Sequence, residues 1–299
     1  MRLDRRYAMY VYWFVLVAAI VARVLQLGAV VDYQTGFYIQ DGILPYALKI
    51  ILISGIAVIS FIIVAGSSKN VSVAGSKLES PFLADLDTLS TALSPVFSIA
   101  AMTLVFASVL NGVIEYRSLS VSGGIDAAFV IEFLLMLCSA LVFLKIAVAR
   151  TRESAITRSM GYSLLIPVIW YTFRSTMLFM SFIQITNISE NLLTMLSSLS
   201  TLLFLIYLAR FFAGIEKNNT RPMLAISGIV CSLMCAVSTL PRYILLIVGT
   251  VEMRQAMGTP NITELIFAVL AASVSALLLA KNKPVILQAQ EGSSGEGKD

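Results

Sequence analysis

The chain contains no histidine. That removes the side chain used most often to move protons near neutral pH, and the commonest metal ligand. Histidine-built zinc sites and Ser-His-Asp triads go with it, and neither a metal nor any other cofactor is expected. Charge is also scarce. Only 13% of the 299 residues are Asp, Glu, Lys or Arg, and 58% are hydrophobic. Soluble domains carry roughly 25% charged residues, so an integral membrane protein is indicated. Cysteine is nearly absent: Cys138, Cys231 and Cys235 all fall inside apolar runs. Cys231 and Cys235 are four apart and share a helix face, a poor geometry for a disulfide. All three read as small buried hydrophobes.

What the chain has instead is long apolar runs. A membrane-spanning helix needs about 20 mainly apolar residues. Eight segments qualify: 8–31, 43–65, 95–114, 127–149, 160–184, 191–212, 223–249 and 262–280. Lipid offers no partner to an open backbone, so the runs are helices. The fold class is therefore an all-α polytopic bundle, with one transmembrane domain over 1–281. The first run is too long for the apolar core of a cleaved signal peptide, and no convincing A-x-A site follows it.

Orientation follows from the basic residues. Arg2, Arg5 and Arg6 precede the first span. Lys69 and Lys77, then Arg150, Arg152 and Arg158, then Lys217 and Arg221, occupy every second loop, and Lys281, Lys283 and Lys298 follow the last span. The alternate loops hold only Arg117 and Arg254, with the acids Asp32, Asp41, Glu115, Asp126, Glu190, Glu252 and Glu264. The positive-inside rule places both termini in the cytoplasm. The net charge of +4 comes from short clusters between spans, so no nucleic-acid partner is expected.

The inner loop 66–94 opens on "GSSKNVSVAGSK" and continues "SPFLADLDTLSTALSP". Ser80 suits a helix cap and Pro81 the first helical position. Phe82, Leu83, Leu86, Leu89 and Leu93 recur at helical spacing. The segment reads as an amphipathic helix docked on the bundle, because Asp85 and Asp87 on its polar side disfavour anionic lipid. Residues 282–299 are polar and Gly/Ser-rich, the composition of a disordered tail. "SALVFLK" (139–145) echoes "SALLLAK" (275–281), and spans one and five each carry an arginine, as a four-plus-four repeat would.

Five charges fall inside spans rather than toward their ends: Arg23, Lys49, Glu132, Arg174 and Arg242. Each costs at least ~2.5–3.5 kcal/mol to insert, which marks it as a site candidate. At the helical rise per residue they lie roughly 12, 9, 9, 15 and 10 Å from the outer end of their spans, all in the outer half of the bilayer. Snorkelling to the headgroups accounts for any one of them. Four cations on four helices at similar depth fit a shared cavity open to the outside better. Trp170 and Tyr171 stand four and three residues before Arg174, within stacking reach of its guanidinium. Gln26 shares a face with Arg23 and Tyr46 with Lys49, and Asn111 adds a polar group. Pro167 and Pro241 interrupt spans five and seven near the buried charge.

"DYQTGFY" (32–38) after an Arg-bearing first span, together with "TNISENLL" (186–193), resembles uncharacterised multi-pass membrane proteins of Gram-positive anaerobic bacteria. The resemblance implies a bacterial plasma membrane and brings no activity with it.

Two readings of function follow. In the first, the cationic cavity takes an anionic or zwitterionic small solute, with Arg23, Gln26, Lys49, Asn111, Glu132, Trp170, Arg174 and Arg242 as the binding set. In the second, the protein is a regulatory or scaffold subunit whose buried charges are structural and whose partner is another membrane protein or a second copy of itself. An enzyme is not expected, because the spans offer no histidine and one intramembrane carboxylate.

Overall fold

The computed structural model describes residues 6–29, 43–67, 92–111, 113, 127–149, 158–182, 188–213, 220–249 and 261–280. Apolar length dictates its elements. They are α1 (Arg6–Ala29), α2 (Ile43–Ser67), α3 (Ala92–Asn111), α4 (Ala127–Ala149), α5 (Arg158–Ser163), α6 (Leu165–Phe182), α7 (Ile188–Phe212), α8 (Thr220–Val248) and α9 (Ile262–Ala280). No strand occurs among the described residues. Helices α5 and α6 together form one candidate crossing, Met160–Met180, so the described residues hold eight segments long and apolar enough to cross a membrane. These match the eight expected runs.

The division of the fifth crossing has a local cause. Pro167 has no N–H to give to the carbonyl of Ser163, and its ring crowds the preceding turn. The helix is interrupted at Leu164, where the amide of Leu164 still bonds the carbonyl of Met160 at 3.2 Å. Pro241 has no such effect, and α8 runs unbroken through it.

Helix α8 is the hub, packed against α1, α2, α7 and α9. Toward α1 and α2 it presents Ser232, which meets the Tyr12 hydroxyl at 2.7 Å, and Val237, which packs with Ala19, Ala22, Leu48 and Leu52. Toward α7 it presents Cys231 and Cys235, whose sulfurs lie 3.4 and 3.2 Å from the Thr201 hydroxyl. Helix α9 comes close because Gly228 has no side chain: a Cβ there would overlap Ser275 Oγ and stand 3.1 Å from the Ala271 carbonyl. Ser275 donates across the same crossing to the Ala225 carbonyl at 3.1 Å. Small residues that let backbones approach are the usual means of holding helices together in lipid.

A relay of rings ties the rest to this hub. Phe97 of α3 stacks on Phe143 of α4, which meets Phe267 of α9 edge-on, and Phe267 in turn packs against Tyr171 and Trp170 of α6. Ser94 adds a hydrogen bond from α3 to the Ala147 carbonyl of α4 at 3.0 Å.

Three sequence expectations look different here. Cys231 and Cys235 are buried, but Cys138 is exposed on the outer face of α4. A thiol is apolar enough to face acyl chains. Ser139 and Ser275 hold equivalent places in the echoed segments, but Ser139 bonds its own helix at Leu135 while Ser275 crosses to α8. Of the expected loop helix, Leu93 lies in the first turn of α3 and is buried; residues 68–91, the turn 32–38 and the tail 282–299 lie outside the described residues.

Candidate functional site

Arg174 and Glu132 pair where α6 meets α4, and Glu264 of α9 and Arg242 of α8 lie in the same region. Arg174 is placed by α6, whose interior face carries Trp170, Tyr171 and Arg174 at one-turn spacing. Its Nη1 donates to Glu132 Oε1 of α4 at 3.3 Å, with side-chain exposures of 12% and 32%. The pair is partly sheltered, and Glu132 is its wetter end.

The central carboxylate is one that sequence reasoning assigned to an outer loop. Glu264 is only 3% exposed. Asn261 caps α9 by accepting from the Thr263 amide at 3.0 Å and the Thr263 hydroxyl at 2.6 Å. Glu264 follows in the first turn and points inward. Ser238 of α8 and Ser197 of α7 lie near its carboxyl, and Arg174 and Arg242 are within electrostatic reach. The α8 face that carries Cys231 and Cys235 continues through Ser238 to Arg242, at helical spacing. Glu264 thus adds a second carboxylate beside Arg174, in a place where the sequence pointed to Glu132 alone.

The other expected members are placed as follows. Arg23 is buried at 3% exposure and its Nη1 donates to Gln26 Oε1 at 3.3 Å, where α1 packs on α8 through Leu27 and Leu245. Lys49 is exposed, with its ammonium 5.8 Å from the centre of the Tyr46 ring three residues earlier. The structure does not bring it to the cluster. Asn111 is exposed at the end of α3 and also stays apart. Trp170 and Tyr171 are fully buried, but they pack on each other and on Phe267. Among the described residues the cations found over rings are Lys49 on Tyr46 and Arg210 on Tyr207, so the expected stacking on Arg174 is not what holds it.

The most informative feature is a set of buried polar atoms with no hydrogen-bond partner among the described residues. Four are on α6 within six residues: Trp170 Nε1, Tyr171 Oη, Arg174 Nε and Ser175 Oγ. The fifth is Ser198 Oγ, next to Ser197. Each such group costs about 1–3 kcal/mol, so a cluster of them calls for an explanation. Tyr171 also lies within electrostatic reach of Arg174, Glu264, Cys231 and Cys235. The arrangement thus combines fixed charges of both signs with hydrogen-bonding capacity that the protein does not itself use. Among the described residues no three Cys, Asp or Glu side chains gather as a metal ion would require.

No family model, curated protein or solved structure matches the chain.

Proposed function

We propose that this integral membrane protein binds an anionic or zwitterionic small solute where α4, α6, α8 and α9 meet, and carries it across the membrane. The supporting observation is the row of unpartnered buried groups on α6 beside Arg174. A solute with acid oxygens would take hydrogen bonds from Arg174 Nε, Tyr171 Oη and Trp170 Nε1. A solute that also bears an ammonium would find Glu132 and Glu264 within the same cluster. Charge pairing in such a setting is far stronger than in water. The reading is non-catalytic, and the expected setting is a bacterial plasma membrane with both termini inside.

A second reading keeps the protein as a regulatory or scaffold subunit. The bond between Arg174 and Glu132 favours it, since an ion pair between helices can serve packing alone.

The deciding experiment is a thermal-shift screen on detergent-purified protein, using carboxylates, phosphates and zwitterionic amino acids. A solute at about 100 times its dissociation constant stabilises the folded state by about 2.7 kcal/mol. The expected result is at least one such solute, with its effect lost in Arg174→Ala and weakened in Tyr171→Phe. A solute whose effect survives both substitutions puts the site elsewhere. Stabilisation by none of the panel sinks the solute reading and leaves the scaffold.

A further inference from the structure

Arg174 is engaged on one side only. Its Nη1 gives Glu132 Oε1 a single hydrogen bond at 3.3 Å, while its Nε is buried and bonds nothing among the described residues. A guanidinium presents Nε and Nη2 along one side, a fork that donates in parallel to the two oxygens of a carboxylate. Glu132 does not occupy that fork. Nor does Glu132 spend both of its oxygens. Among the described residues its hydrogen bond is the one that Oε1 accepts from Arg174, and its side chain is 32% exposed.

The groups around this fork are turned away from their own helix. Thr172 and Thr176 of α6 spend their hydroxyls on the carbonyls of Val168 and Thr172, at 2.8 and 2.9 Å. Ser175 has a carbonyl four residues back just as they do, yet its Oγ is unpartnered. Trp170 Nε1, one turn before Arg174, is unpartnered as well and can only donate. Two donors therefore need an acceptor, beside a carboxylate with an oxygen to spare. Charge then decides between ligands. Arg174 and Glu132 already neutralise each other, so a bare anion on Nε would leave its charge uncompensated in a sheltered place, which is costly. Glu264, within electrostatic reach of Arg174, adds to that repulsion. A ligand that carries one charge of each sign brings no net charge to the pair.

We propose, resting on the solute reading, that the ligand is a small amino acid in its zwitterionic form, with its carboxylate on the Nε side of Arg174 beside Trp170 and its ammonium on the second oxygen of Glu132. The ion pair is itself the recognition element. Its cation meets the anion of the ligand, and its anion meets the cation. One hydrogen bond joins the two halves of the pair, so both lie within the span of one small molecule that bridges α6 and α4. Tyr171 and Ser175 carry hydroxyls, which both donate and accept, and so can serve either end.

The test uses the full-length protein in detergent. The common protein amino acids are screened by thermal shift. Each one that stabilises the protein is then compared, by titration calorimetry, with its des-amino acid, which lacks the ammonium, and with its amide, which lacks the carboxylate. At least one amino acid is expected to bind, at least about tenfold more tightly than either analogue, the worth of one charge-assisted hydrogen bond. In Glu132→Gln the advantage over the des-amino acid should shrink by about tenfold, while the advantage over the amide remains. If no amino acid stabilises the wild type, the proposal is overturned. A des-amino acid that binds the wild type as tightly as its parent overturns it too, whether or not Glu132→Gln folds. So does an advantage over the des-amino acid that survives unchanged in Glu132→Gln. Carboxylates or phosphates that stabilise where amino acids do not leave the solute reading standing and remove the zwitterion. A screen in which nothing stabilises removes the solute reading itself.

Discussion

Replacing Gly228 by alanine tests the close crossing of α8 and α9. The new methyl would overlap Ser275 Oγ, approach the Ala271 carbonyl to 3.1 Å and touch Phe204 at an ordinary 3.5 Å. Either Ser275 rotates and forfeits its bond to Ala225, or α9 moves off. An interhelical hydrogen bond in lipid is worth about 0.6 kcal/mol on average, and up to about 2 kcal/mol. Overpacking costs about 1–3 kcal/mol. Alanine returns about 1 kcal/mol through its better helix propensity. The net expectation for Gly228→Ala is a loss of about 1–3 kcal/mol. Ser275→Ala alone should lose about 0.6 kcal/mol, the average interhelical bond. In the double variant the overlapping oxygen is gone, so stability should return to within about 1 kcal/mol of wild type, well short of the summed losses. Equilibrium unfolding by SDS in mixed micelles, followed through the fully buried Trp170, measures the cycle. Additivity of the two changes to within about 0.5 kcal/mol would falsify the contact.

Tyr12→Phe should cost about 1 kcal/mol in the same assay, because it leaves buried Ser232 without its partner across α1 and α8. Lys49→Ala should change stability by less than about 0.5 kcal/mol and leave solute stabilisation intact, since Lys49 is exposed against Tyr46 alone; a lost solute response would return it to the site. Tyr171→Phe should leave the solute-free protein as stable as wild type, or up to about 1 kcal/mol more so, because the hydroxyl removed has no partner. A clear loss of stability in Tyr171→Phe would show that the hydroxyl is bonded within the fold.

The crossings were legible in the sequence because lipid permits one answer to a long apolar run. Glu132 and Arg174, both read from the sequence as lying inside spans, do meet. Facing was not legible. Helix α2 is apolar nearly all round, so nothing in its pattern says that Lys49 looks outward. Glu264 was missed for a different reason. It stands third after Asn261 in "NITE", where a glutamate is commonly spent on a capping box and reads as part of the helix start. Here Asn261 serves the cap through Thr263, which leaves the glutamate free to turn inward. The serines on α7 and α8 resembled packing contacts, since small hydroxyls line most membrane helices. Only their convergence from two helices on one carboxylate distinguishes Ser197 and Ser238, and convergence is a property of the fold.

The pair of Arg174 and Glu132 has an electrical consequence. A transmembrane voltage exerts about 2.3 kcal/mol per elementary charge per 100 mV. A bonded pair of opposite charges such as Arg174 and Glu132 feels almost no net force, so that pair by itself gives the voltage little to act on. An anionic solute bound beside that pair would bring its own charge into the field, and current on a solid-supported membrane should then follow a step in solute.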